Sequence, residues 1–220
     1  AYMKANYPVE FIAASMTLEL GNTDKLSVFN QEIRSMGLKI QGPDVNASEA
    51  TFTVERKTNE NAQKTASSGV IRYALGAIKN VGEAAMHKVA QERKKNGLYK
   101  DIFDFAKRIG PHASNKRQME NLARAGAFDS LCQNRRRVHS AIEILLKISS
   151  IADTERNSGQ IGLFGDNVKG ASVEMLTLPE IKDWSKFERL AEEFDATGLY
   201  LSGHPLDDYA TVMKRLKVKT

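Results

Sequence analysis

Helix start and stop residues punctuate this 220-residue chain so closely that only short helices fit between them. Pro8 suits the first turn of a helix whose positions Phe11, Ile12, Ser15, Met16 and Leu18 keep helical spacing up to a stop at Gly21. Asn22 or Thr23 caps a second helix, with Leu26, Val28, Phe29, Ile33 and Met36 ahead of a terminator at Gly37. From Gly82 the pattern is helical again. Ala85, Met86 and Val89 form a stripe ending at Gly97, Asp101 caps IFDFAKRI, and Ser114 or Asn115 caps KRQMENLARA. Asn134 opens one longer helix carrying Val138, Ile142, Ile144, Leu145, Leu146, Ile148 and Ile151. The pattern resumes in WSKFERLAEEF, where Trp184 and Phe187 are expected to anchor the unit. GLYLSGHPLDDY then turns into a last helix ending near Leu216.

LKIQGPDVN and ATFTVE depart from this helical rhythm and read as short strands of a small sheet, and IRYAL reads as a further strand. Between the last two lies RKTNENAQKTASS, Arg56 to Ser68, polar and without apolar periodicity, which reads as a mobile connection. The expected fold is mainly α with a small β element. A helical segment with the small sheet occupies 1–68, a tandem helix-hairpin-helix-like bundle 69–157, a linker 158–183 and a helical connection 184–220.

Hydrophobic residues make up 41% of the chain, enough for a substantial core, yet no apolar stretch is long enough to cross a bilayer. With no secretion signal at the N-terminus, a cytoplasmic location is expected. The single cysteine, Cys132, excludes an internal disulfide framework and a thiolate metal site, and a small buried residue is expected there. AYMKANYP reads as the end of a helix already under way, so the chain is expected to be a piece of a longer protein. The net charge is +5, but its distribution says more. Ile71 to Arg137 holds fifteen basic residues against six acidic ones, leaving the remainder acidic. Such asymmetry suits a phosphate-binding module, or else a solvated basic face.

The most informative local pattern is AIKNVGEAAMHKVAQE, Ala77 to Glu92. Ile78 and Val81 point to the core, Asn80 and Gly82 shape a hairpin, and a helix starts at Glu83 with unpaired N–H groups suited to a phosphate oxygen. Lys79 and Lys88 add charge nearby. This resembles the helix-hairpin-helix motif, with Asn80 in place of its first glycine. A looser second copy is NKRQMENLARAGAFDSL followed by NRRRV, turning at Ala125, Gly126 and Ala127. A purely structural αα-hairpin is the alternative for each.

Read in order, KANYPVEFIAASMTLELGNTDKL, PDVNAS with FTVE, IRYALGAIKNVGEAA, IFDFAKRI, NKRQMENLARAGAFD and GLYLSGHPLDDY resemble the C-family replicative DNA polymerases, the alpha subunits of bacterial DNA polymerase III. The resemblance spans essentially the whole chain. It implies that residues 1–68 form the distal fingers and that the helical bundle grips duplex DNA. The aspartates that hold two magnesium ions would lie in a palm outside this chain, so no catalytic residue, metal or cofactor is expected here. It also implies that GQIGLFG is a sliding-clamp-binding peptide, with Gln160 as the hydrogen-bonding anchor and Leu163 and Phe164 as paired apolar plugs. Other replisome subunits would be met through the full-length polymerase. Lys79, Asn80, Val81, Gly82 and Lys88 at the first hairpin are expected to contact DNA. Lys116, Arg117, Arg135, Arg136 and Arg137 are expected to do so near the second.

The histidines His87, His112, His139 and His204 sit in separate segments without metal-ligand spacing, and His87 and His139 read as helix-surface residues. Asp207 and Asp208, at a helix start, suit an N-terminal charge role better than metal binding. A protein-interaction segment that does not bind DNA is the alternative function.

Overall fold

Most of these punctuating residues do begin and end helices in the computed structural model, which describes residues 2–56, 69–110, 115–158, 177–209 and 215. After α1 (Tyr2–Asn6), α2 (Pro8–Leu18) places Pro8 in its first turn and buries Val9, Ile12, Ala13 and Met16. Leu18, expected in the apolar stripe, is 86% exposed. In α3 (Thr23–Ser35) the Asn22 carboxamide oxygen accepts from the Lys25 N–H at 3.1 Å, a helix cap, and Leu26 and Ile33 face the core. Val28 and Met36 are exposed instead, because the helix rotates them away from the sheet it packs on.

Three short strands follow: β1 (Lys39–Gln41), β2 (Thr53–Arg56) and β3 (Gly69–Arg72). β3 is central, parallel to β1 and antiparallel to β2, with Ile71 opposite both Ile40 and Val54. It alternates buried and half-buried positions, as a strand with one covered face must. The central strand lies beyond residue 68 and both partners before it. Among the described residues one hydrophobic core runs from Val9 to Leu199. The polar connection expected over Arg56 to Ser68 lies, beyond Arg56, outside the described residues.

The bundle consists of α4 (Glu83–Asn96), α5 (Ile102–Ile109), α6 (Lys116–Ala125), α7 (Arg135–Ser140), α8 (Ile142–Ser158) and α9 (Lys186–Thr197). Asp101 caps α5, accepting from the N–H groups of Phe103 and Asp104, and Asn115 caps α6 in a reciprocal capping box with Gln118. Edge-on rings of Tyr99, Phe105 and Phe128, with centroids 5.0 and 5.1 Å apart, link α5 to the turn after α6. Arg93, almost buried on α4, donates to the carbonyls of Val45 and Ser48 at 2.7 and 2.8 Å and to Glu49. One guanidinium thus ties the loop between β1 and β2 to the bundle.

The long helix expected from Asn134 breaks at Ala141. Ala141 is fully buried and its N–H bonds back to Val138, so the chain tightens by part of a turn between α7 and α8. Along α8, Ile142, Leu145 and Ser149 are buried and Ile151 is exposed, with Ile144 partly exposed. Ser185 and Glu188 form a capping box at the start of α9. Trp184 is half-buried, but Phe187 is 50% exposed and anchors nothing in the core. Of the last expected helix, ending near Leu216, little lies within the described residues. No helix among them is long and apolar enough to cross a membrane.

Candidate nucleic-acid interface

The first hairpin is a tight turn between the 3-10 turn Leu75–Ala77 and α4. Ile78 and Val81 are buried, and the Val81 N–H returns to the Ile78 carbonyl at 3.1 Å. Asn80 is thereby exposed at the tip, with Lys79 half-buried beside it. Asn80 takes φ +60, the left-handed region that asparagine tolerates better than any branched side chain. Gly82 has φ −76, so its missing side chain is not required by backbone conformation. Gly82 is the N-cap of α4 and supplies no side-chain cap. The helix start therefore presents amide N–H groups to solvent with the positive end of the dipole behind them. Glu83 in the first turn opposes that charge, but its exposed carboxylate lies 3.4 Å from His87 Nε2. Lys88 lies one turn beyond Ala84 on the same exposed face.

The first hairpin does not stand alone. A Cβ on Gly82 would lie 3.4 Å from Gln118 Nε2, which places the hairpin against the first turn of α6. Lys116 and Arg117 in that turn are both exposed. Lys116 pairs with Glu143 at 2.7 Å, and this hydrogen bond raises its pKa. Lys79, Asn80, Gly82, Lys116 and Arg117 thus belong to one surface, with Lys116 and Arg117 at the opposite end of α6 from the second hairpin to which they were assigned. From inside, the Lys79 N–H donates to the Ala196 carbonyl of α9 at 2.9 Å, and Tyr73 Oη donates to the Thr197 carbonyl at 3.1 Å. The hairpin tip therefore rests on the end of α9.

The second hairpin is built differently. Gly126 ends α6 at φ +82, and a Cβ there would collide with the Arg135 guanidinium lying over it. Arg135 is 5% exposed. It grips Asp129 with two nitrogens, at 2.9 and 2.8 Å, and donates to Glu193 at 3.0 Å and to the Arg124 carbonyl at 3.2 Å. Burial works against its charge, and Asp129 and then Glu193 outweigh that, raising its pKa. Arg135, expected to reach DNA, is an internal tie whose donors face protein. Arg137 is half-buried and donates to the Leu178 carbonyl at 2.9 Å. Arg136 keeps an exposed side chain, while its N–H donates to Asp183 at 3.1 Å.

Residues 178–184 thus lie along the start of α7. Asn134 Nδ2 donates to the Ile181 carbonyl at 2.7 Å, and the rings of His139 and Trp184 are 5.7 Å apart. His139, read as a surface residue, is half-buried there. Desolvation holds its pKa below the ordinary 6.5, and the nearby Arg124 charge adds to that. Asp183, the carboxylate at the start of α7, also accepts from Arg189 at 3.0 Å.

Glu193, which holds this arrangement from α9, carried no expected role. It is 1% exposed and accepts from Arg135 and from the N–H groups of Leu201 and Ser202 at 2.6 and 2.8 Å. Its signal was positional, since it falls three residues after Leu190 and four before Thr197 on the buried stripe. Gln160, Leu163 and Phe164 lie outside the described residues, as do His112 and Ser114. Cys132 is half-buried, with Sγ 3.7 Å from the Asn134 carbonyl.

Asp207 accepts from the His204 N–H at 2.6 Å, Asp208 pairs with Lys186, and no group of three metal-ligating side chains converges among the described residues.

Residues 37–138 match the helix-hairpin-helix motif family. Curated relatives called DNA polymerase III subunit alpha match almost the whole chain. That of Caulobacter vibrioides is 45% identical over 98% of the chain, and those of Neisseria meningitidis serogroup A and Xylella fastidiosa strain Temecula1 are 38% and 36% identical over the same share. The chain spans about 18% of the length of the Caulobacter and Neisseria relatives. Its helical fold with a small sheet, its hairpins and its sequence together make it a member of the DNA polymerase III alpha-subunit family, matching a stretch of under a fifth of the relatives' length.

Proposed function

We propose that this chain is a non-catalytic part of a replicative DNA polymerase that holds duplex DNA by its backbone, without reading sequence, and docks the sliding clamp. The observation that carries the DNA reading is the meeting of the first hairpin with the start of α6. An uncapped helix start, a left-handed turn at Asn80 and the side chains of Lys79, Lys116 and Arg117 share one surface, with Lys88 a turn along α4. Amide N–H groups and mobile cations suit phosphate oxygens, which look alike whatever the base sequence. Val81 contributes by fixing the turn from beneath. Nucleotidyl transfer with magnesium is assigned to other parts of such a polymerase, and no step of it to this chain. A cytoplasmic site of action accords with that role.

Titrating the chain with labelled duplexes of unrelated sequence tests the grip. Affinity should be alike for each and fall with salt at a log–log slope of about −0.9 per phosphate neutralised. Absence of binding at about 50 mM salt, where such contacts are strong, leaves only the protein-interaction reading. For the clamp, Gln160, Leu163 and Phe164 supply one amide and two large apolar groups, an arrangement that concentrates binding energy in few residues. Their joint replacement by alanine should abolish capture by the clamp with helical content intact. Undiminished capture would assign the contact elsewhere.

A further inference from the structure

A second surface of opposite character lies on α9 and the segment that follows it. Phe187 and Phe194, seven residues apart on one face of α9, are 50% and 43% exposed. Tyr200 stacks on Phe194 with ring centroids 4.7 Å apart, and His204 meets Tyr200 edge-on at 5.4 Å. The chain then runs back along the helix, where Asp208 pairs with Lys186, the neighbour of Phe187. Leu206 and Tyr209 in this return are 47% and 52% exposed. Phe194, Tyr200 and His204 thus form one contiguous cluster of rings, and the Lys186–Asp208 pair holds the return of the chain beside Phe187.

The patch is held in shape before anything binds. Glu193 clamps the N–H groups of Leu201 and Ser202, Asp207 accepts from the His204 N–H, and His204 Nδ1 accepts from the Leu206 N–H at 3.2 Å. Little ordering entropy remains to be lost on binding. Its charge is as distinctive as its rings. Setting aside Glu193, which is buried against Arg135, residues 185–209 carry five carboxylates against two basic side chains; Glu192 and Asp195 share Arg124, and Asp195 beside Phe194 is still 74% exposed. A phosphate backbone would be repelled here, whereas apolar side chains flanked by cations would be complementary.

We propose that this acidic aromatic face docks a protein segment bearing apolar side chains flanked by lysine or arginine, on a surface separate from the first hairpin. Two probes test it on the 220-residue chain: a labelled amphipathic helical peptide of leucine and lysine, and the same peptide with glutamate for each lysine. The lysine peptide should bind and slow amide exchange over residues 186–209, and the glutamate peptide should not. Joint Phe187→Ala and Phe194→Ala substitution should weaken the lysine peptide about tenfold or more, as loss of two interface anchors does. Both residues are exposed, so helical content and duplex affinity should not change, and Asp195→Lys should weaken the peptide alone. Equal binding of the two peptides, or unchanged affinity in the double variant, would overturn the proposal. Loss of duplex affinity in that variant would also overturn it, by placing nucleic acid on this face.

Discussion

The two hairpins share a plan and differ in what meets their polar groups. At the first, the buried pair Ile78 and Val81 leaves a left-handed asparagine in solvent with a half-buried lysine beside it, and no side chain caps the next helix. At the second, the turn glycine is roofed by Arg135, the next helix is capped by Asn134 and Asp183, and two carboxylates take up the guanidinium. The repeat has one open copy and one closed copy. Basic residues in a hairpin are therefore no guide to phosphate contact until their partners are known.

The sharpest way to break this contrast is to remove the closed copy's tie. Arg135→Ala leaves Glu193 buried without its cation and should cost about 3–5 kcal/mol in denaturant unfolding, as loss of one partner of a buried ion pair does. A cost near zero would mean that Arg135 is not holding the hairpin. Gly126→Ala, which combines strained backbone with a collision, should also destabilise strongly. In the open copy the effects should be smaller. Asn80→Val should cost about 1–2 kcal/mol from its left-handed backbone, and Asn80→Gly should be close to neutral. Equal costs for the two would refute a left-handed Asn80.

The smallest effect concerns acid. His139 faces Trp184, with Arg124, Glu120, Glu192 and Lys116 as its charged neighbours, and its folded pKa is lowered. The neutral ring is favoured in the fold, so its contribution is complete above the unfolded value of 6.5 and is lost as pH falls from there through the folded value. Melting temperature followed from neutral to mildly acid pH should drop slightly more for the native chain than for His139→Phe. Trp184 is the sole tryptophan, so its emission should change with the same titration. Identical pH profiles in the two proteins would remove His139 from the account.

Helix starts were legible because capping is local: Asn22, Asp101, Asn115 and Asn134 each serve the helix that immediately follows. The outward tip at Asn80 was legible for the same reason. What sequence pattern missed is long-range. Arg135 and Glu193 are 58 residues apart and Arg93 reaches back to Val45, pairings that no local periodicity encodes. The strands were legible, but not that β3 completes a sheet begun before residue 68, since register is settled by tertiary packing. Side-chain exposure at Leu18, Phe187 and Ile151 also went against pattern. Apolar spacing says that a face exists, not where it ends.

The most direct test of the open and closed copies is the salt slope of duplex binding in two variants, Lys79→Ala with Arg117→Ala and, separately, Arg137→Ala. The first should weaken binding and flatten the log–log slope by about two, roughly one for each lost phosphate contact. Arg137→Ala should leave slope and affinity as they are. If Arg137→Ala flattens the slope and the first pair does not, the grip belongs to the second hairpin and the account is contradicted.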